Sequence, residues 1–172
     1  MSHRLHIRPA RNNTRPSSSR NRPPLALMGL IGSMIVTFCA PALGVLSAPG
    51  AWYASLSKPA WNPPAWIFGP VWTFLYLLMA VAAWLVWKRD GWKLPVALYL
   101  VQLALNAAWS PIFFGAHEPG WALMEIIVLW IFILLTMLAF IRVSRVAGLM
   151  LVPYLLWVSF ATFLNFTLWR MN

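Results

Sequence analysis

The residues best suited to chemistry in this sequence are aromatic, and the densest group of them lies between residues 52 and 72. That segment holds four tryptophans, one tyrosine, one phenylalanine and four prolines, with Lys58 as its single charge. Prolines at positions 59, 63 and 64 exclude a helix there and hold the backbone extended, which lowers the entropy cost of presenting the rings. We predict a stiff aromatic lid over an apolar ligand.

A polar stripe lies further along the chain. Gln102, Asn106 and Ser110 are four residues apart, so they share one face of a helix whose other residues are mostly apolar. Amides inside a membrane must face protein or a cavity. Two interpretations stand side by side: hydrogen bonds between helices, or a stripe that faces a ligand, which the neighbouring Trp109 favours.

A third group of residues shares a helical face near the end of the sequence; it consists of Tyr154, Trp157, Ala161 and Asn165. A rise of about 1.5 Å per residue places Trp72, Asn106 and Ala161 each about 12–14 Å inward from the lid-side end of its span. An aromatic ring, an amide and a small side chain therefore meet at one level. We predict an aromatic-walled pocket suited to a flat apolar ligand.

The sequence shows no group of residues with the spacing that catalysis or metal binding requires. It contains no glycine-rich phosphate loop and no cluster of His, Cys and carboxylate residues at metal-ligand spacing. Three acidic residues in all leave little material for acid–base catalysis. We expect a structural role for Glu125 and a solvated position for His117. The sequence thus favours binding over catalysis, with no metal and no required cofactor.

The elements that position these residues are membrane-spanning helices. Hydrophobic residues make up 61% of the chain and charged residues 9%, whereas soluble domains carry about 25% charged residues. Each of five apolar segments is close to the ~20 residues that cross a bilayer. We predict an all-α bundle of five transmembrane helices, packed antiparallel because most links are short, at residues 25–46, 64–87, 94–115, 121–141 and 146–170.

Basic residues indicate how the bundle is oriented. Residues 1–24 contain six arginines and no acid, which predicts a disordered basic tail before the membrane domain at residues 25–172. An organelle transit peptide, which is also rich in Arg and Ser and poor in acids, is the alternative. The tail shares its side of the membrane with the basic residues at 88–93 and 142–145, against Lys58 and Arg170 on the other side. We therefore expect a cytoplasmic N-terminus, contact between the tail and membrane lipid, and no nucleic-acid partner.

The first span carries Gly29, Ser33 and Thr37 four residues apart. These small side chains form a narrow face on which a neighbouring helix can approach closely. Helix packing within the bundle is the simpler interpretation, and a scaffold role through contact with another protein is the alternative. We expect Cys39, the single cysteine, to be a buried small hydrophobic residue.

Three segments resemble the translocator protein family, also called tryptophan-rich sensory protein or peripheral-type benzodiazepine receptor. They read WYASLSKPAWNPPAWIFGPVWTFLY, QLALNAAWSPIFF and VPYLLWVSFATFLNFTLWRMN, and they begin at residues 52, 102 and 152. The resemblance covers residues 25–172 and all five spans. It implies a five-helix membrane protein, commonly a homodimer, in a bacterial cell membrane or, as the alternative, an organelle membrane.

The resemblance also implies a ligand and a set of site residues. It implies binding of porphyrins and aromatic drug-like ligands, with roles in tetrapyrrole or sterol traffic and in stress signalling. Trp72 and Trp157 match two tryptophans linked in some bacterial members to light-dependent porphyrin breakdown. Phe166 stands where the animal sterol motif has Tyr, so we expect porphyrin rather than sterol. By motif, the family's ligand-pocket positions are Trp52, Tyr53, Trp72, Asn106, Trp109, Trp157 and Ala161.

Overall fold

The computed structural model describes residues 23–45, 47 and 49–172, and these residues form helices and loops without a strand. The predicted disordered tail lies outside the described residues except for its last two, which already belong to the first helix. The helices are α1 (Pro23–Val45), α2 (Ala51–Ser55), α3 (Ala65–Asp90), α4 (Leu94–Ser110, continued by a π-helical turn at Pro111–Gly115), α5 (Pro119–Val143), α6 (Arg145–Leu149) and α7 (Val152–Met171).

Among the described residues, four helical stretches are long and apolar enough to cross a membrane, which makes the chain a multi-pass membrane protein. They are Ala65–Asp90, Leu94–Gly115, Pro119–Val143 and Arg145–Met171, and a shorter apolar stretch, Ala26–Ala42, lies within α1. The all-α prediction is confirmed, and these four stretches match the last four predicted spans to within a few residues. Prolines in the first turns of α4, α5 and α7 fit the preference for Pro where a helix begins.

The bundle is organised around a core to which all five long helices contribute. α4 packs against α5, α5 packs against α7, and α1 packs against both α3 and α4. The most deeply buried side chains of this core include Met79 and Val86 of α3, Ile133 and Phe140 of α5, and Tyr154 of α7. Apolar side chains on the outside of the same helices remain exposed, as expected where lipid is the solvent.

The small-residue face of α1 is an internal packing surface, as the simpler interpretation predicted. A Cβ atom built on Gly29 would lie 2.3 Å from the Trp87 ring. The Ser33 hydroxyl donates to the Ala80 carbonyl at 2.7 Å, and Thr37 Oγ1 lies 2.6 Å from the Tyr99 hydroxyl. α3 and α4 of the same chain therefore occupy this face, which removes the basis of the scaffold alternative.

Cys39 is exposed, so the expectation of a buried cysteine is wrong. The reason is rotational position. Thr37, two residues earlier, is fully buried against α4, and two residues along a helix correspond to about 200°. Cys39 therefore lies on nearly the opposite side of α1 from the packed face.

Candidate ligand-binding site

The lid consists of residues 50–64, and it crosses the ends of α4 and α7. It begins with the short helix α2 and continues without helix through the prolines at 59, 63 and 64, as their sequence predicts. Its middle rests on α7, because Trp61 stacks on Phe163 with centroids 5.2 Å apart and meets Phe160 edge-on at 6.0 Å. The sequence did not predict α2, which places Trp52 and Tyr53 on one helical turn.

A pair of hydrogen bonds fastens the lid to the end of α7. The Ser57 amide donates to Asn172 Oδ1 at 2.9 Å, and Asn172 Nδ2 donates to the Ser57 carbonyl at 3.1 Å. Asn172 Nδ2 also donates to the Leu168 carbonyl at 2.9 Å, which fixes the amide to its own helix. One side chain thus holds the lid in register with α7.

Asn172→Ala will loosen the lid without unfolding the bundle. Each lost exposed hydrogen bond is worth roughly 0.5–1.5 kcal/mol, so local opening at Ser57 should rise about tenfold. Hydrogen exchange of the Ser57 amide measures this opening directly. Asn172→Asp keeps the acceptor for the Ser57 amide and should give an intermediate rate. Unchanged exchange at Ser57 in both variants would show that the pair does not hold the lid.

The π-helical turn at the end of α4 builds the surface beneath the start of the lid. Pro111 has no N–H to continue the α-helical ladder. Beyond it, the Ala116 amide donates to the Pro111 carbonyl, five residues back, at 2.8 Å, which makes the turn π-helical. The turn buries Phe113 (1% exposed). Trp52 meets Phe113 edge-on at 5.7 Å, and Tyr53 meets it at 6.2 Å. Trp109 stacks on the same ring at 4.9 Å, so three of the residues predicted to bind ligand all contact Phe113.

His117 closes this end of the lid by stacking on Trp52, with ring centroids 4.4 Å apart. Its backbone φ is 60°, in the left-handed region that non-glycine residues seldom adopt. The ring is therefore held against the lid, although the residue itself is exposed as expected. Tyr53 follows Trp52 in α2, and burial raises the pKa of its phenol.

The polar stripe of α4 makes hydrogen bonds between helices at Asn106. Tyr76 donates its hydroxyl hydrogen to Asn106 Oδ1 at 2.6 Å, and Asn106 Nδ2 donates to the Tyr154 hydroxyl at 2.9 Å. Trp72 stacks on Tyr76 at 5.4 Å and meets Tyr154 edge-on at 6.2 Å. The buried amide thus joins α3, α4 and α7, and it holds the Tyr76 ring on which Trp72 stacks.

A second amide joins Trp109 to α5 and α7. The Trp109 indole N–H donates to Asn165 Oδ1 at 3.1 Å, and Asn165 Nδ2 donates to the Pro119 carbonyl at 2.8 Å. Asn165 is 1% exposed, so these bonds form away from water. The Trp109 ring is therefore fixed both by its hydrogen bond and by its stack on Phe113.

Trp157 and Ala161 lie half-buried on α7 and pack against the main core, as do Trp72 and Trp109. Trp157 meets Phe68 at 5.8 Å and Phe160 at 5.5 Å. Phe160 also contacts Trp61 of the lid, so the Phe160 ring connects Trp157 to the lid. The structure therefore brings four of the predicted residues onto one core and joins Trp52 and Tyr53 to it through Phe113.

Sequence reasoning missed two residues of this arrangement. Tyr76, the partner of both Trp72 and Asn106, lies four residues after Trp72 on the same helical face, and that spacing was the available signal. Phe113 is central because of the π-helical turn, for which only Pro111 gave a hint. Gln102 belongs to the predicted stripe and is 1% exposed, yet its polar atoms have no hydrogen-bond partner among the described residues.

A cleft of about 830 Å³ opens at the lid end of the bundle, between α5, α7 and the lid. Among the predicted residues, Trp52 lines it, and its other walls include Glu118, Trp121, Met124 and Trp169. No group of three His, Cys, Asp or Glu residues in the described part of the chain could hold a metal ion. Both carboxylate oxygens of Glu125 are buried without a hydrogen-bond partner among the described residues.

Comparison with known proteins decides the family. The model of the TspO/MBR family matches residues 23–170. The chain belongs to the TspO/MBR family. It is 52% identical over 129 residues to the tryptophan-rich protein TspO of Chlorobaculum tepidum, covering 72% of this chain and 82% of that protein.

Further relatives in the family come from other bacteria and from animals. The chain is 43% identical over 150 residues to the tryptophan-rich sensory protein of Cereibacter sphaeroides, covering 84% of this chain and 95% of that protein. It is 47% identical over 126 residues to the human translocator protein, covering 70% of this chain and 75% of that protein. The family resemblance drawn from the three segments is therefore confirmed.

Proposed function

We propose that this TspO/MBR protein binds porphyrins, other tetrapyrroles and similar flat apolar molecules beneath the lid. It acts in their transport, sensing or stress-linked regulation, and it requires no bound cofactor. The residues that we assign to ligand contact are Trp52, Tyr53, Trp72, Asn106, Trp109, Trp157 and Ala161.

The observation that carries the proposal is the fixed aromatic surface around Trp72. Its indole stacks on Tyr76, and Tyr76 is held by the buried Asn106 amide. A ring that is already ordered loses little entropy when a flat ligand stacks on it. Trp109 is held in the same way by Asn165. Trp109, Trp157 and Trp72 pack on one core, which supports a shared ligand surface.

The orientation that we propose places the lid opposite the cytoplasm. α1 has 23 residues, which at about 1.5 Å per residue give a helix of roughly 34 Å, long enough to cross the ~30 Å hydrocarbon layer. With α1 as a fifth span, the basic N-terminal residues and the lid lie on opposite sides. Reporters fused to the two ends should report opposite compartments, and reporters on the same side would refute the fifth span.

A protoporphyrin titration followed by tryptophan quenching tests the binding proposal. The double variant Trp72→Leu, Trp157→Leu removes two rings, each worth about 0.5–1.5 kcal/mol of stacking. Affinity should therefore fall roughly tenfold or more. Trp92→Leu is the matched control, because Trp92 is 74% exposed in the link between α3 and α4. Circular dichroism checks that all variants remain helical.

Two outcomes of that titration separate the alternatives. If the double variant keeps the affinity and stoichiometry of the unmodified chain, the ligand does not lie against Trp72 and Trp157. If the Trp92→Leu control loses affinity equally, the quenching reports general partition into the micelle. Neither result is compatible with a site beneath the lid.

A second candidate function is light-dependent breakdown of the porphyrin. The observation in its favour is the stack of Trp72 on Tyr76, whose hydroxyl donates to Asn106. An indole that gives an electron to the photoexcited porphyrin would have a hydrogen-bonded phenol beside it as its own electron donor. Illumination of the porphyrin complex should then give a new absorbing product. Product formation that is as fast in Trp72→Phe, Trp157→Phe as in the unmodified chain would remove this candidate.

We also propose that the protein assembles as a homodimer in the membrane and that sterol is not its preferred ligand. The apolar outer faces of the helices support self-association in lipid, where close packing of helices drives assembly. Phe166, which is 44% exposed, has no hydroxyl to offer a sterol. Sedimentation in a density-matched detergent measures the mass, and a single-chain mass that still binds ligand would make the dimer secondary.

A further inference from the structure

The cleft at the lid end has two chemically different parts, which we call the floor and the rim. The floor is an apolar, outward-facing surface of α5 that includes Met124 (60% exposed) and Ile127 (46% exposed), while the rim carries Glu118, Trp121 and Trp169. Ile127 lies six residues beyond Trp121, so the cleft extends about 9 Å along the helix axis towards the membrane interior. Such a gradient from polar rim to apolar floor fits an amphiphilic molecule.

The charge of the rim favours a cation. Among the described residues, the single ion pair joins Lys93 and Asp90 at the opposite end of the bundle, so Glu118 has no ionic partner there. No lysine or arginine lines the cleft. The Lys58 ammonium in the lid is already bonded to the carbonyls of Ala54 and Leu56. A headgroup with net negative charge would therefore meet the Glu118 carboxylate without a lysine or arginine side chain to compensate it, and His117, which also lines the cleft, is stacked on Trp52.

The rim also presents indole faces. Trp121 is 65% exposed and Trp169 is 45% exposed, and no aromatic ring in the described part of the chain stacks on Trp121. Trp169 lies across the first turn of α5, since a Cβ on Gly120 would come within 3.1 Å of its ring nitrogen. Indole faces attract quaternary ammonium groups through the ring quadrupole, most strongly where water is partly excluded.

We propose that this cleft binds one membrane phospholipid with a quaternary ammonium headgroup, such as phosphatidylcholine. The ammonium lies against Trp121, Trp169 and the Glu118 carboxylate, and one acyl chain follows Met124 and Ile127 towards the membrane interior. Backbone amides at Gly120 and Trp121, in the first turn of α5, are available to donate to the lipid phosphate. The cleft volume of about 830 Å³ holds a headgroup and the upper part of one chain, not a whole lipid.

This lipid site shares Trp52 with the proposed porphyrin site but none of its other residues. Trp72, Asn106, Trp157 and Ala161 do not line the cleft. The two proposals can therefore fail independently, and protoporphyrin affinity serves as a check that rim variants are folded.

The test uses the full chain, stripped of lipid in detergent and offered an equal mixture of dioleoyl phosphatidylcholine, phosphatidylethanolamine and phosphatidylglycerol. Native mass spectrometry counts the lipids that each protein molecule retains. We expect one phosphatidylcholine, retained about tenfold over phosphatidylglycerol and several-fold over phosphatidylethanolamine. The reason is that cation–π and charge contacts act on the quaternary ammonium.

Rim variants make the assignment specific. Glu118→Gln should reduce the preference for phosphatidylcholine about fivefold, and Trp121→Leu with Trp169→Leu should abolish it, because indole faces and carboxylate act on the same cation. Trp92→Leu, an exposed tryptophan at the other end of the bundle, should leave it unchanged. Equal retention of the three lipids, a preference for phosphatidylglycerol, or a phosphatidylcholine preference that survives both rim variants would each overturn the proposal.

Discussion

Asn106→Leu will lower the free energy of unfolding by about 1–3 kcal/mol, because it breaks two hydrogen bonds at once. Hydrogen bonds between membrane helices average about 0.6 kcal/mol and reach about 1.7 kcal/mol. The variant also leaves the hydroxyls of Tyr76 (6% exposed) and Tyr154 (1% exposed) without the partner that each has on α4. Unfolding in a titration with a denaturing detergent measures the change.

The matched control lies one helical turn away. Gln102→Leu makes the same kind of change, from a buried amide to leucine, at a residue that is 1% exposed and has no hydrogen-bond partner among the described residues. It breaks no bond that the structure describes, so stability should stay the same or rise. An equal loss in the two variants would mean that the cost comes from the shape of leucine and not from the two hydrogen bonds.

A triple variant tests whether the three side chains act as a unit. Tyr76→Phe and Tyr154→Phe, added to Asn106→Leu, remove every polar group of the network together. Replacing both partners of a hydrogen bond by apolar groups of similar shape can be nearly neutral, so the triple variant should recover most of the stability lost by Asn106→Leu alone. A triple variant less stable than the single one would show that the tyrosine hydroxyls have partners other than Asn106.

The same network bears on ligand binding, since Trp72 is held in place by Tyr76. If Asn106 acts by positioning, Asn106→Leu weakens protoporphyrin binding, and the triple variant, which keeps both rings at 76 and 154, recovers affinity along with stability. If Asn106 contacts the ligand directly, the triple variant recovers stability but not affinity. The comparison therefore separates the two interpretations of the polar stripe that the sequence left side by side.

The spans were predictable because a bilayer imposes a strong requirement on the sequence. About twenty apolar residues between polar links admit few alternatives to a helix, and the last four predicted spans differ from the observed helices by only a few residues. Gly29, Ser33 and Thr37 were likewise readable as a packing face, because small residues at helical spacing have one common use in membranes.

The details of the site were less predictable, because they depend on helix rotation and on local breaks in the helix. Residue spacing placed Asn106 at the level of Trp72, but it could not show that the Asn106 amide would form hydrogen bonds with Tyr76 and Tyr154. Phe113 contacts the lid from a π-helical turn at the end of α4, which the sequence did not predict. The predicted burial of Cys39 was wrong for a related reason. Where lipid and protein core are both apolar, hydrophobicity does not indicate which side of a helix faces the core.

Gly148→Ala is expected to cost about 3 kcal/mol, because the added methyl group would meet backbone as well as side chain. Gly148 is buried in α6, the short helix that joins α5 to α7. A Cβ there would lie 2.2 Å from Ile141 Cγ1, 2.8 Å from the Ile141 amide nitrogen and 3.0 Å from its Cα. Relief requires α6 to move away from α5, and overpacking of this kind costs about 1–3 kcal/mol or more.

A graded series of glycine variants makes this prediction specific. For Gly29→Ala, the three atoms nearest to the added Cβ all belong to the Trp87 ring, the first at 2.3 Å. A side chain can rotate where backbone cannot, so the cost of this variant should be smaller. Gly32→Ala, three residues further along the same helix, meets nothing within 4 Å in the part of the chain that the structure describes, and it should gain up to about 1 kcal/mol from the higher helix propensity of alanine. From highest to lowest, the expected order of thermal unfolding midpoints is Gly32→Ala, then Gly29→Ala, then Gly148→Ala. A Gly148→Ala protein as stable as Gly32→Ala would show that α6 can separate from α5 at little cost.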